Sequence, residues 1–67
     1  VNIGPVTGTS DVDDYGEVKT NVGLNIDNQF YDFPSSNGQT WSEVSGVLGY
    51  SFSAFKIWPR FEADLVE

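Results

Sequence analysis

The stretch VKTNVGLNID, residues 18–27, alternates between apolar and polar positions and decides the fold. One set of alternate positions holds Val18, Thr20, Val22, Leu24 and Ile26, and the other holds Lys19, Asn21, Gly23, Asn25 and Asp27. Successive side chains of a β-strand point to opposite faces, so this period of two predicts a strand with one apolar and one polar face. We expect that strand to continue towards residues 30–33.

Two further strands are predicted after a turn. The turn is PSSNGQ, residues 34–39, in which Asn37-Gly38 tolerates the positive φ values of a tight reversal. Alternation resumes over residues 40–53 and again over residues 56–66. Pro59 is expected at an edge or a bulge, because proline cannot donate a ladder hydrogen bond. The sequence therefore predicts an all-β fold, an antiparallel β-meander of three to four long strands that is incomplete alone.

The domain organisation is interpreted as a single β unit over residues 1–67. Residues 1–16 are expected to form an N-terminal strand and an acidic loop, and residues 17–67 the β-meander. No stretch keeps apolar residues at helical spacing over three turns. No signal peptide is recognised, and the chain begins at Val1 rather than at a methionine, so we expect a processed product or an excerpt from a longer chain.

The composition removes several classes of function. The 67 residues include no cysteine and no histidine, which excludes a thiolate nucleophile, an imidazole base, a disulfide and a His/Cys zinc site. Ten acidic residues against three basic ones give a net charge of −7, and this charge repels nucleic acid. We expect no enzymatic activity and no nucleic-acid partner. A core this small also predicts dependence on partners.

The acidic loop is a candidate calcium site. Its residues Asp11, Asp13 and Asp14 offer the oxygen ligands that hard cations prefer, and Gly16 stands at the sixth position of an EF-hand-like spacing. Val22 stands at position twelve, where a bidentate glutamate belongs. The alternative is a solvated acidic loop. No other cofactor is expected.

Carboxylates elsewhere in the chain allow an acid–base pair. Glu43, Glu62 and Asp64 could supply one, as in glycosidases, although any ten acidic residues yield such pairs. On a strand, Arg60 shares a face with Glu62 and Asp64, and Lys56 and Arg60 could pair with these two carboxylates. A charge ladder is therefore the ordinary explanation.

Aromatic residues gather near the predicted strand ends: they are Phe30, Tyr31, Phe33, Trp41, Phe52, Phe55 and Trp58. Long strands with Gly, Ser and Asn on their polar faces and aromatics at their ends are typical of membrane β-barrel walls, where the aromatics lie at the interface with lipid. A soluble sheet whose aromatics cap a small core gives the same pattern.

Residues 22–67 resemble hairpins of Gram-negative outer-membrane β-barrel, porin-like proteins. The segments that carry the resemblance are YDFP (31–34), WSEV (41–44) and LGYSFSAF (48–55). The resemblance implies a non-enzymatic structural segment of a barrel wall in the outer membrane, with lipid contact at the seven aromatics. Eight strands close the smallest barrel, so other strands or protomers would have to complete it.

Two alternatives remain open. The chain could be a small β-rich structural subunit of a larger soluble assembly, such as a virion, a filament or a surface layer. This hypothesis places the chain at an extracellular or virion surface. Its long strands would supply edges for pairing with neighbouring subunits. It could also be a binding module for metal or carbohydrate that uses Trp41, Trp58 and the acidic loop.

Overall fold

The computed structural model describes residues 1–13 and 15–67. Secondary structure in those residues consists of strands and one short 3-10 helix, Glu62–Asp64. The strands in chain order are β1 (Asn2–Ile3), β2 (Val6–Thr7), β3 (Glu17–Lys19), β4 (Leu24–Asp27), β5 (Thr40–Trp41), β6 (Glu43–Ser45), β7 (Val47–Ser51), β8 (Ala54–Trp58) and β9 (Leu65–Val66). Within the described ranges, no helix is long and apolar enough to cross a membrane.

The described strands form three open sheets. Their strand orders are β1-β6-β9, β2-β5 and β3-β4-β8-β7. All pairs are antiparallel except β4 with β8, which run parallel. The all-β prediction is confirmed, and open sheets are compatible with an incomplete meander. The prediction of long strands is wrong, because the observed strands are two to five residues long.

The first predicted strand is a hairpin, with β3 and β4 on either side of a reversal at residues 20–23. Gly23 adopts a φ of 83°, and the Thr20 hydroxyl donates to the Leu24 carbonyl at 2.5 Å, which closes the turn. Val18 and Ile26 are cross-strand partners, so they share a face in the hairpin as they would in one continuous strand. The alternation therefore could not distinguish the two structures.

The second and third predicted strands are also interrupted. Residues 40–51 form β5, β6 and β7, which separate at Ser42 and Gly46. Gly46 has a φ of 155°, and a Cβ added there would lie 2.2 Å from the Trp58 carbonyl oxygen. The third strand ends at Trp58, because Pro59 has no N–H with which to continue the ladder. The chain then enters the 3-10 helix and β9.

The core lies between the three sheets. Its buried hydrophobic side chains are Val6, Val18, Ile26, Phe33, Trp41, Val44 and Ile57. Phe33 and Trp41 pack edge to face with their ring centroids 6.4 Å apart. The sequence predicts both as membrane-interface aromatics; in this fold both rings are buried, and their large apolar area contributes to the small core.

The four-stranded sheet has two chemically different faces. Ile57 aligns with Ile26 and Leu48, and Phe55 aligns with Leu24 and Tyr50, so these side chains share the inner face. Lys56 aligns with Asn25 and Gly49 on the opposite, outer face. The inner face is apolar and reaches the core, whereas the outer face carries charges and the Trp58 indole.

Candidate functional site

A buried lysine lies at the centre of the outer face. Lys56 is 1% exposed, and its Nζ lies 2.8 Å from Glu17 Oε2 and 3.9 Å from Asp27 Oδ2. Asn25 Nδ2 donates to the second Glu17 oxygen at 3.0 Å. The pairing register places Glu17 beside Asp27 and Asn25 beside Lys56, so three neighbouring strands build the cluster. A buried charge is tolerated because its partners compensate the lost hydration.

Asp27 experiences opposing influences within this cluster. Its burial raises the pKa of the carboxyl above the ordinary value of 3.8, and the nearby negative charge of Glu17 adds to that effect. The backbone N–H of Gln29, which donates to Oδ1 at 3.0 Å, lowers the pKa, as do Lys56 and the Trp58 indole. Burial is the largest of these influences, so protonation of Asp27 is easier here than in water.

The Trp58 indole covers part of the outer face. A Cβ added at Gly49 would lie 2.1 Å from the Trp58 Cζ3 atom, so only glycine leaves room for the ring. The Phe30 ring packs against the indole at 6.3 Å between centroids. Trp58 Nε1 is buried and meets no acceptor within hydrogen-bonding geometry among the described residues, although it is close enough to lower the pKa of Asp27.

An aromatic side chain stands at the tip of the β7–β8 hairpin. Phe52 is 92% exposed, and its ring centroid lies 4.9 Å from Lys56 Nζ. Phe52 and Ser53 have φ values of 50° and 64°, a left-handed conformation that non-glycine residues rarely adopt. The turn therefore holds an apolar ring in solvent above a buried ammonium group.

These groups line a cleft of about 570 Å³. The ion cluster and Trp58 form its more buried part, which we call the floor, and the exposed rings of Phe52 and Tyr15 form its rim. Asn28, Gln29 and Ser51 add amide and hydroxyl groups to the lining. The cleft can therefore offer hydrogen-bond donors, hydrogen-bond acceptors and aromatic faces to one ligand.

A second ion pair lies outside the cleft. Arg60 Nε and Nη2 donate to the two carboxylate oxygens of Asp64 at 2.9 and 3.1 Å, and the Arg60 backbone N–H donates at 2.9 Å. These bonds hold the pKa of Asp64 below its ordinary value and raise that of Arg60. The predicted pairing of Arg60 is confirmed for Asp64, but Lys56 pairs with Glu17 and Asp27 instead of Glu62 or Asp64.

The candidate calcium residues make local turn contacts. Asp13 Oδ1 accepts from the backbone N–H groups of Tyr15 at 2.8 Å and Glu17 at 3.1 Å. Asp11 accepts from the Asn37 backbone N–H, and Asp14 lies outside the described residues. In the part of the chain that the structure describes, no three acidic groups gather into a metal-binding cluster. The calcium site stays a prediction.

The remaining predicted interface aromatics are distributed over several surfaces. Phe30, Phe52 and Phe55 are exposed, whereas Tyr31 and Trp58 are half-buried. Tyr31 packs against the core. The carbohydrate-binding hypothesis loses Trp41, which is buried in the core, and keeps Trp58.

The sequence interpretation missed the cluster of Glu17, Asp27 and Lys56. A signal was present, since Lys56 is the only cation in the strand AFKIW and apolar side chains flank it on both sides. Its partners lie on β3 and β4, and only the parallel β4–β8 pairing brings them together. No protein-family model, curated protein or solved structure matches this chain. Function is therefore inferred from the geometry of its residues.

Proposed function

We propose that this chain is a non-enzymatic structural subunit that associates with copies of itself in a larger β-rich assembly. The observation that carries the proposal is an exposed apolar patch formed by Leu48, Tyr50 and Phe55. Their side chains are 49%, 61% and 55% exposed, and they share the inner face of the four-stranded sheet. We call this group the apolar patch.

The apolar patch continues the surface that forms the core. Ile57 and Ile26 on the same face are fully buried, whereas the three patch residues on that face are exposed. Tyr50 and Phe55 pack edge to face at 4.9 Å between centroids, so their rings are already ordered against each other. Clustered exposed apolar side chains on a soluble fold mark interaction surfaces. These contacts support burial of the patch by another protein surface.

Two further features favour a second copy as that surface. None of the three patch residues is charged, whereas the whole chain carries a net charge of −7, so copies can approach at the patch with the least repulsion. Strand β7 ends its sheet, with β8 as its one ladder partner within residues 1–13 and 15–67. An edge strand beside an apolar patch can extend a sheet from one copy to the next.

The outer-membrane barrel segment is the second candidate. The exposed rings of Phe30, Phe52 and Phe55 support lipid contact, since aromatics concentrate at membrane interfaces. A membrane strand needs about 9 to 11 residues to cross the bilayer, and the strands here have two to five. The strand lengths therefore favour the soluble assembly, at an extracellular or virion surface, over the barrel wall.

A matched pair of variants tests the proposal. Phe55→Ser removes a ring from the patch, and Phe61→Ser removes a ring of similar exposure, 50%, that lies outside the four-stranded sheet. Sedimentation velocity in detergent-free buffer should show weaker association for Phe55→Ser and unchanged association for Phe61→Ser, with thermal unfolding recorded for both. Equal effects of the two variants would refute the role of the patch. Recovery of folded protein only in detergent would favour the barrel segment.

A further inference from the structure

The outer-face cleft has a feature that self-association through the inner face leaves unexplained. Phe52 occupies a left-handed backbone conformation and exposes 92% of its surface, and Ser53 beside it is also left-handed. Asparagine and glycine are the usual residues of such two-residue turns, because the conformation strains other side chains. Strained residues that hold an apolar ring in water are typical of ligand-binding sites.

The rim of the cleft presents aromatic faces. One face of the Phe52 ring is directed towards the Lys56 ammonium at 4.9 Å, a cation–π contact that favours this orientation of the ring. Tyr15, 84% exposed, stands on the acidic-loop side of the same cleft. Exposed rings offer flat apolar surfaces to a ligand with flat patches of C–H groups. The rim therefore selects for a ligand that is partly apolar.

The floor of the cleft is polar and keeps one formal negative charge. Glu17 and Asp27 accept hydrogen bonds, and the buried Lys56 between them offsets one of their two charges. Asn28, Gln29 and Ser51 supply groups that can both donate and accept. A ligand that matches this floor carries several hydroxyl groups, because a hydroxyl donates to carboxylates and accepts from amides.

The charge distribution disfavours charged ligands. Anions meet two carboxylates in the cleft and a net charge of −7 on the chain. A cation would compete with the Lys56 ammonium, which already lies 2.8 Å from Glu17. Displacing this ammonium would break a buried ion pair, which is costly. The volume of about 570 Å³ falls within the range of small-molecule sites.

We propose that the cleft binds a neutral saccharide, with a sugar ring against Phe52 and Tyr15 and its hydroxyl groups bonded to Asp27, Asn28, Gln29 and Ser51. Phe52 supplies the main stacking surface. Lys56 pairs with the carboxylates of the floor and lies against one face of the Phe52 ring. The apolar patch lies on the opposite face of the sheet, so saccharide binding and self-association use separate surfaces.

The test is a titration followed by ¹H–¹⁵N NMR. The chain has two tryptophans, so the indole N–H signal of Trp58 reports on the cleft and that of the buried Trp41 serves as an internal reference. Glucose, maltose, cellobiose and N-acetylglucosamine are the neutral probes, and glucosamine and glucose 6-phosphate are the charged comparators. We expect a saturable shift of the Trp58 signal with at least one neutral sugar, no shift of Trp41 and weaker effects of the charged comparators.

A variant pair makes the test specific. Phe52→Gly removes the stacking ring and is expected to keep the turn, since glycine adopts left-handed φ values without strain. It should weaken saccharide binding by about tenfold, whereas Phe61→Gly, outside the cleft, should leave it unchanged. Absence of a Trp58 shift with every neutral sugar, stronger binding of a charged comparator, or unchanged binding to Phe52→Gly would each overturn the proposal. Sedimentation of Phe52→Gly should match the wild type, which separates this site from the apolar patch.

Discussion

Lys56 and Glu17 form a buried ion pair between residues 39 positions apart, with Nζ 2.8 Å from Oε2. The two residues lie on β8 and β3, and β4 runs between them. The pair spans a strand, so it connects three of the four strands through side chains. Asn25 of the intervening strand donates to the same carboxylate and completes the connection.

Removing the lysine should destabilise the fold severely. Lys56→Met leaves the carboxylates of Glu17 and Asp27 without their cation, a loss of about 3–5 kcal/mol for a buried pair. That figure approaches the whole stability of a core this small. Urea unfolding should show a largely unfolded variant. Lys19→Met, at an exposed lysine, should change the free energy of unfolding by less than about 0.5 kcal/mol.

A compensating variant separates the loss of charge balance from a loss of packing. Lys56→Met combined with Glu17→Gln and Asp27→Asn has no unpaired charge in the cluster and should recover most of the lost stability. A triple variant as unstable as Lys56→Met alone would contradict this explanation, and so would a stable Lys56→Met.

Gly49 and Trp58 should be energetically coupled. A Cβ at Gly49 would lie 2.1 Å from the indole, so Gly49→Ala must displace the ring and should cost about 1–3 kcal/mol, with a change in tryptophan fluorescence. In Trp58→Ala the clash partner is absent, and adding Gly49→Ala should then cost much less. A double-mutant cycle with additive effects would show that the two residues do not interact.

The stability should depend on Asp64 at low pH. Arg60 holds the folded-state pKa of Asp64 below 3.8, so the contribution of this carboxylate is present above its unfolded pKa and is lost as the pH falls through the folded value. Asp64→Asn should be less stable than the wild type at neutral pH, and the difference should narrow below about pH 4. Urea unfolding across this pH range checks the effect, and a constant difference would contradict it.

The contribution of Asp27 to stability should depend on pH in the opposite direction. Burial raises its folded-state pKa, so its contribution is present below the unfolded pKa and is lost as the pH rises through the folded value. The stability of the wild type relative to Asp27→Asn should therefore fall as the pH rises from about 4 towards neutrality. The same urea series measures it. A rise in relative stability over this range would show that the lysine outweighs burial.

Glycine substitutions at two serines of the β7–β8 hairpin should change the stability of the fold in opposite directions. Ser53 has a φ of 64°, so Ser53→Gly should relieve strain and stabilise the fold by about 0.5–1 kcal/mol. Ser51→Gly, within β7, should destabilise it by about 0.5–1 kcal/mol through added freedom in the unfolded chain. Thermal unfolding compares them, and effects of equal sign would contradict the turn geometry.

The sequence was sufficient for the class of fold because alternation reports side-chain direction. The alternation predicts that Val18 and Ile26 share one face, and they do share it, although they lie on two strands of a hairpin. The length of the strands could not be predicted, because a turn that keeps the two-residue alternation in phase does not change the sequence pattern. The Asn37-Gly38 turn was recognisable, and Gly38 has the positive φ of 86° that the turn chemistry requires.

The alternation within individual strands could not predict the site on the outer face. Lys56 meets its partners only through the parallel pairing of β4 with β8, a contact that alternation within each strand does not encode. Trp41 and Trp58 look alike in the sequence, yet one is a core residue and the other lines the cleft. Which aromatics are buried depends on how three small sheets pack together, and only the tertiary structure contains that information.

The most direct measurement of the central claim is sedimentation velocity of the wild-type chain across a concentration series without detergent. Because the apolar patch of Leu48, Tyr50 and Phe55 is uncovered in a single copy, association should increase with concentration and the monomer should become the minor species. A folded chain that stays monomeric at every concentration would contradict the proposal that it is a subunit of a self-associating assembly.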